Sequence, residues 1–168
     1  NIKKKKLFSI NIIMDILNVP KRYIPKVLSK KDTQKQKKYL RKSRKLYKKG
    51  KYFARPKVKS FKSKKSNHLQ RAEKLYKVKN IKPSAELARK TKCKRSALEK
   101  IVSKGRGAYY SSGSRPNQTA ESWGRARLAS AISGGNAAIS DFHVLKDGCK
   151  PSSKALKLAN KTKKKKKT

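Results

Sequence analysis

The chain has 168 residues, with 51 basic residues against 8 acidic ones and a formal charge of +43. Hydrophobic residues make up 35%, so a core can cover only part of the chain, and no set of internal ion pairs can neutralise a charge excess that opposes compaction. Eight acids leave little for a carboxylate-based active site or a magnesium site, and the charge points to a large polyanion as partner, nucleic acid first and an anionic membrane surface second.

The chain opens on lysines 3–6, followed by LFSINIIMDILNV at 7–19. That run has the outline of a signal segment or short anchor, but it is shorter than a span of about 20 residues and contains Asn11, Asp15 and Asn18. No small-residue cleavage site stands out. Met14 is the one methionine, and the expectation is a natural start close to it. Residues 20–31 carry two prolines and are expected to be extended.

Asp32 is expected to cap a helix that runs to about Lys49, with Gly50 as its stop. Tyr39, Leu40, Ser43, Leu46 and Tyr47 share one face of it. Lys35, Lys38, Arg41, Arg44 and Lys48 lie on the remaining circumference, where they suit a phosphate backbone or a protein partner. Residues 51–65 then alternate aromatic or apolar residues with basic ones. Tyr52, Phe53 and Phe61 are read as anchors of an extended arm in a neighbour's pockets, with stacking on exposed bases as the alternative. A second helix is expected over 67–79, with Leu69, Ala72, Leu75 and Tyr76 inward and Val78 as a further candidate.

PSAELARKTKCKRSALEKIVSKG, from Pro83, is the most organised local pattern. Ser84 can cap one helix, Lys92 and Cys93 make a turn, and Arg95 or Ser96 starts another that ends at Gly105. Counted from Ser84, apolar residues fall at positions 4, 5, 10, 15 and 18, a spacing similar to a helix-turn-helix. A structural helix pair is favoured over a base-reading module. Either way Arg89, Lys90, Lys92, Lys94 and Arg95 surround the turn and favour phosphate. Cys93 and Cys149 are too few for a disulfide framework and have no CxxC partner, so reduced thiols and an intracellular assembly site are expected unless the fold brings the two together.

Residues 105–145 contain no lysine and four arginines. Desolvating unpaired ammonium groups is costly, so this stretch is expected inside. Thr119 can cap a helix from Ala120 to about Ser133, with small and apolar residues over most of its circumference, ended by Gly134 and Gly135. Ile139, Phe142, Val144 and Leu145 follow as core residues. Arg115, Arg125 and Arg127 suit partly buried hydrogen bonding. YYSSGSRPNQ is read as a rigid structural loop in preference to an anion cradle, since it lacks the lysine and hydroxyl end of a phosphate-binding loop. His143 lies two residues from Asp141, but no catalytic spacing surrounds it, and His68, His143 and two scattered cysteines do not make a zinc site. No enzyme activity, cofactor or metal is expected.

These elements give a mainly α fold class: a small helical domain at 66–149 with long extended basic arms, namely an N-terminal arm at 1–65 and a C-terminal tail at 150–168.

From Met14 onward, the order PKRYIPKVLSKKD, KSRKLYKKGKYFARPKVKSFKSK, YKVKNIKPSAELARKTKC and GAYYSSGSRPNQTAESWGRARLASAISGGNAAISDFHVL resembles a family of small basic proteins of large double-stranded DNA viruses that infect algae and amoebae. The resemblance covers about residues 14–160. Its distinctive part maps onto Tyr110, Ser111, Ser112, Gly113, Ser114, Arg115, Pro116, Asn117, Gln118, Trp123, Gly124, Ala126, Arg127, Leu128 and Ala129, read as fold-determining. It implies a virion protein without catalytic residues. The expected role is that of a minor capsid protein on the inner face of the shell, whose arms cement other capsid proteins. The alternative is a nucleic-acid-binding protein, DNA-condensing or ribosomal-type. Viral DNA and, more weakly, anionic lipid are the further partners.

Overall fold

The computed structural model describes residues 18–166, so lysines 3–6, Met14 and the terminal Thr168 lie outside the described residues. The helical periodicities are realised: the described chain is mainly α, with eight α-helices and one isolated antiparallel bridge. It divides into two compact units. One holds the described residues up to Ser63 together with Ala108–Thr119, and the other holds Lys64–Gly107 with the described residues from Ala120 onward.

The first unit is built on α1, Lys30–Tyr47. Its cap is Ser29, whose hydroxyl accepts from the Asp32 backbone N–H at 3.2 Å. The expected cap, Asp32, sits inside the first turn, where a carboxylate meets the positive end of the helix. It accepts instead from the Ser60 N–H at 2.8 Å and the Ser60 hydroxyl at 2.7 Å. The buried face of α1 is Asp32, Gln36, Leu40 and Ser43, while Tyr39, Leu46 and Tyr47 are only half-buried. Polar residues can occupy that face because each is satisfied. Gln36 Nε2 donates to the carbonyls of Tyr23 and Ser114, each at 3.2 Å, and the Ser43 hydroxyl donates to the Tyr110 carbonyl at 3.3 Å. Gly50, at φ +70°, follows the helix end.

Residues 51–63 form no helix or strand and turn at Lys59 and Ser60, yet they are not a free arm. They fold against Ala108–Thr119, a piece of the lysine-free stretch, and bury Val58 and Arg55 alongside Tyr23, Leu28, Leu40 and Tyr109. Gly113 is required here: at φ +119°, a Cβ on it would stand 2.7 Å from Leu40 Cδ2. The expected domain at 66–149 therefore gives up Ala108–Thr119 to the N-terminal unit.

In the second unit, Ser66 caps α2, Asn67–Tyr76, which buries Ala72 and Tyr76 and ends on Lys77 in the left-handed region. The Tyr76 hydroxyl donates to the Ile132 carbonyl. Ser84 caps α3, Ala85–Thr91, as expected. After the turn comes α4, Arg95–Ser111, which does not stop at Gly105. Gly105 is a point of close approach to α5, Ala120–Ile132: a Cβ there would stand 2.5 Å from Gly124 Cα. The residues of α4 up to Gly107 belong to this unit and the rest to the first. Leu128, Ala129, Ala131 and Ile132 of α5 have no exposure, whereas Trp123 is half-buried, so the centre of this core lies a turn beyond the tryptophan.

Two short helices follow: α6 (Ala137–Ser140) packs on α5, α7 (Phe142–Gly148) packs on α6, and together they bury Ala138, Val144 and Leu145. The expected tail is α8, Lys154–Lys165, capped by Ser153. Ala155 and Ala159 are fully buried, and the helix packs on α5, α6 and α7. Its apolar residues recur at helical spacing beneath the lysines, and that narrow stripe suffices to seat it.

The two cysteines also differ from expectation. The Lys94 N–H donates to the Gly148 carbonyl at 2.8 Å and the Lys150 N–H to the Lys92 carbonyl at 2.9 Å. Cys93 and Cys149 therefore face each other as the close, non-hydrogen-bonded pair of an antiparallel bridge, and a disulfide joins them. Among the described residues no helix is long and apolar enough to cross a membrane.

Candidate nucleic-acid interface

Between residues 18 and 166 there are 46 basic residues and seven acids. In the first unit the ratio is twenty to one, and that one acid, Asp32, is held by Ser60. The hydrogen bonds from the Ser60 hydroxyl and backbone, aided by Lys35 nearby, hold its carboxyl below the usual range. It is accordingly charged at neutral pH and engaged inside its own unit.

The residues singled out on α1 fall into two groups. Lys38, Arg41 and Lys48 are exposed. Lys35 is half-buried, and so is Arg44, whose guanidinium donates to the Asn18 carbonyl at 2.7 Å. Arg55 is the buried cation of this unit. It donates to the Ser43 hydroxyl, the Tyr109 carbonyl and the Ser114 hydroxyl at 2.7–2.9 Å and lies 3.7 Å over the Tyr109 ring. Burial pulls its pKa down, and the neighbouring tyrosines partly oppose this. A single arginine outside any helix or strand gives no periodic signal, so only the tertiary structure reveals it.

The loop motif does structural work at specific atoms. Asn117, at φ +61°, accepts from the Val58 N–H at 2.8 Å and donates to the carbonyls of Val58 and Phe61 at 3.1 and 2.6 Å. Ser114 and Pro116 are buried, while Ser112 and Arg115 are exposed. Of the three aromatic anchors, Phe53 and Phe61 are half-buried within their own unit and Tyr52 is exposed. Phe53 lies 6.3 Å from the Tyr39 ring with the Lys42 ammonium 4.4 Å over its face.

In the second unit Arg89, Lys90, Lys94 and Arg95 are all exposed around the turn between α3 and α4. Lys92 takes the left-handed conformation at φ 55°, the position a glycine commonly fills in this motif. The disulfide ties this turn to the end of α7, so its backbone is fixed on both sides. Arg95 is shared with Glu99 through an exposed pair at 3.1 Å, which is worth little. Arg127 and Leu128 act in the core. The Arg127 guanidinium grips the fully buried Asp141 through two bonds at 2.7 and 2.8 Å, and Lys104 adds a third contact at 3.1 Å. Burial alone would raise the Asp141 pKa, but Arg127 and Lys104 outweigh it and hold the carboxyl below its ordinary value. The same pairing raises Arg127. Asp141 is thus a structural counter-ion, and Lys104, whose position in the sequence carries no signal of this, is its second partner.

Residues 20–148 match the model of a family of unknown function, DUF5824. The chain belongs to this family. No curated protein and no solved structure matches it. The DUF5824 region contains α1 through α7, both basic clusters, the Asn117 clamp and Cys93. Cys149 and α8 lie beyond it.

Among the described residues no three of His, Cys, Asp and Glu gather as a metal set would require. His143 is exposed, with Nε2 at 3.5 Å from the Lys104 ammonium. His68 is half-buried with an unpartnered Nδ1. What the DUF5824 surface offers chemically is dense positive charge on two preformed supports, a long helix and a cross-linked turn.

Proposed function

We propose that the protein is a non-enzymatic nucleic-acid-binding component of a virion, acting by neutralising phosphates with the outward cations of α1 and of the α3–α4 turn. One observation carries this reading. Helix α1 packs through Asp32, Gln36, Leu40 and Ser43 and leaves Lys31, Lys37, Lys38, Arg41, Lys45 and Lys48 in solvent. Those cations do nothing for the packing of the helix. Like charges at helical spacing repel and destabilise the element that carries them, so their use lies in a partner that supplies negative charge.

The turn adds a second support. Its exposed arginines and lysines sit on a backbone held by the disulfide, so little ordering entropy is lost on binding. A place on the inner face of a shell, beside the genome, agrees with this chemistry. Cementing of subunits by free arms has less support, because the segment expected to thread between subunits folds against Ala108–Thr119.

The test is the salt dependence of binding to a duplex oligonucleotide by the full chain. Neutralising six to ten phosphates implies a loss of about a thousandfold or more between 50 and 200 mM salt. Replacing Lys38, Arg41 and Lys45 by glutamine should reduce the log–log slope by about 2–3. A slope near zero, or a slope untouched by the triple substitution, would remove the reading.

A further inference from the structure

Tyr52 is 71% exposed, although it belongs to a cluster of three tyrosines. Its ring centroid lies 5.0 Å from that of Tyr110 and 6.1 Å from that of Tyr47, each at about 61°. Tyr47 and Tyr110 run nearly parallel to each other, 6.5 Å apart. The ring is therefore flanked by two others, while most of its surface meets water. Exposed Lys48, Lys49 and Lys51 flank it in the chain, and no acid occurs between Asp32 and Glu73.

The surroundings choose between two kinds of occupant. An apolar pocket on a protein would have to strip water from those ammonium groups along with the ring, at high cost. A polynucleotide offers phosphates to the ammonium groups and a flat base to the ring at the same time. In a duplex the bases are already stacked on one another, so a free base face is a property of single strands.

We propose that Tyr52, supported by Tyr47 and Tyr110, stacks an unpaired base of a single-stranded nucleic acid while Lys48, Lys49 and Lys51 hold the flanking phosphates. This rests on the nucleic-acid reading above and adds a preference for strand state to it. Phe53 and Phe61, packed into the unit, take no part.

The probes are a single-stranded oligothymidylate, the same length of backbone with abasic sites, and a duplex, each titrated with the full chain and its Tyr52→Ala and Tyr52→Phe variants. Tyr52→Ala should weaken oligothymidylate binding about 5- to 150-fold, and Tyr52→Phe should retain it. Both variants should bind the abasic strand and the duplex as the unaltered protein does. Equal weakening on the abasic strand or the duplex, or no weakening on oligothymidylate, would overturn the stacking site. Loss of a protein contact in Tyr52→Ala with oligothymidylate binding intact would overturn it too. Weak, salt-independent binding of all three probes by the unaltered chain would instead remove the underlying nucleic-acid reading.

Discussion

Gly105→Ala sets two physical effects against each other at one atom. Position 105 lies inside α4, where alanine is favoured over glycine by about 1 kcal/mol of helix propensity. On propensity alone the variant is more stable. The new Cβ, however, would stand 2.5 Å from Gly124 Cα, 3.2 Å from Gly124 N and 3.2 Å from Arg127 Cβ. These atoms are mainly α5 backbone, which cannot swing aside as a flexible side chain does. Helix α5 must retreat, and the fully buried Leu128 and Ala129 move with it. Overpacking of this kind costs roughly 1–3 kcal/mol, and a backbone clash lies at the upper end. With the propensity gain subtracted, the variant should be about 1–2 kcal/mol less stable. Urea unfolding followed by the fluorescence of Trp123, the single tryptophan, measures this directly. Gly124→Ala should behave alike, since its Cβ would meet the Val102 carbonyl oxygen at 2.7 Å. The double variant should cost less than the sum, because one widened gap admits both methyls. A Gly105→Ala protein as stable as the parent would refute the close crossing.

Removing the Asp141 carboxylate by Asp141→Asn leaves Arg127 and Lys104 without their buried counter-ion, and a loss of about 2–3 kcal/mol in urea unfolding is expected. Acid should act in two stages. His68 is pushed down by burial and by Arg71, so its contribution to stability is complete above about pH 6.5 and is lost as pH falls through its lowered folded value. Asp141 is also lowered, so its contribution holds above about pH 4 and disappears as pH falls further through its folded value. His68→Gln should abolish the upper stage alone, and a stability profile flat from pH 7 to 5 would contradict the assignment. The disulfide closes a loop of 56 residues in sequence separation, so its reduction should cost about 4 kcal/mol on loop-closure grounds. An unchanged urea midpoint in reductant would contradict the pairing.

Most of the helices are legible because apolar or small residues recur at helical spacing, and Ser29, Ser66, Ser84 and Ser153 cap four of them. Ser84 stands alone as a start signal. Ser29-x-x-Asp32 is itself a start signal, but two capping residues three apart compete in the sequence, and only geometry shows which is outside the helix. Gly105 resembled a stop because glycine both ends helices and allows close crossings. The terminal helix was hidden by its lysines, which dominate composition while Ala155 and Ala159 settle the packing. Arg55 and Asn117 gave no warning of their tertiary partners, since their bonds reach 54 and 59 residues along the chain. The disulfide was invisible for the same reason, because it depends on two backbones meeting. The exposed cations of α1 and the turn were legible from charge density alone.

The most direct test of the account is a lysine-reactivity footprint of the full chain with and without a saturating oligonucleotide. An acylating reagent should modify Lys37, Lys38, Lys45, Lys90 and Lys94 readily in the free protein and much less in the complex, while Lys104, held by Asp141 at 3.1 Å, should change little. If those five lysines stay as reactive in the complex as in the free chain, phosphate neutralisation by α1 and the α3–α4 turn is wrong.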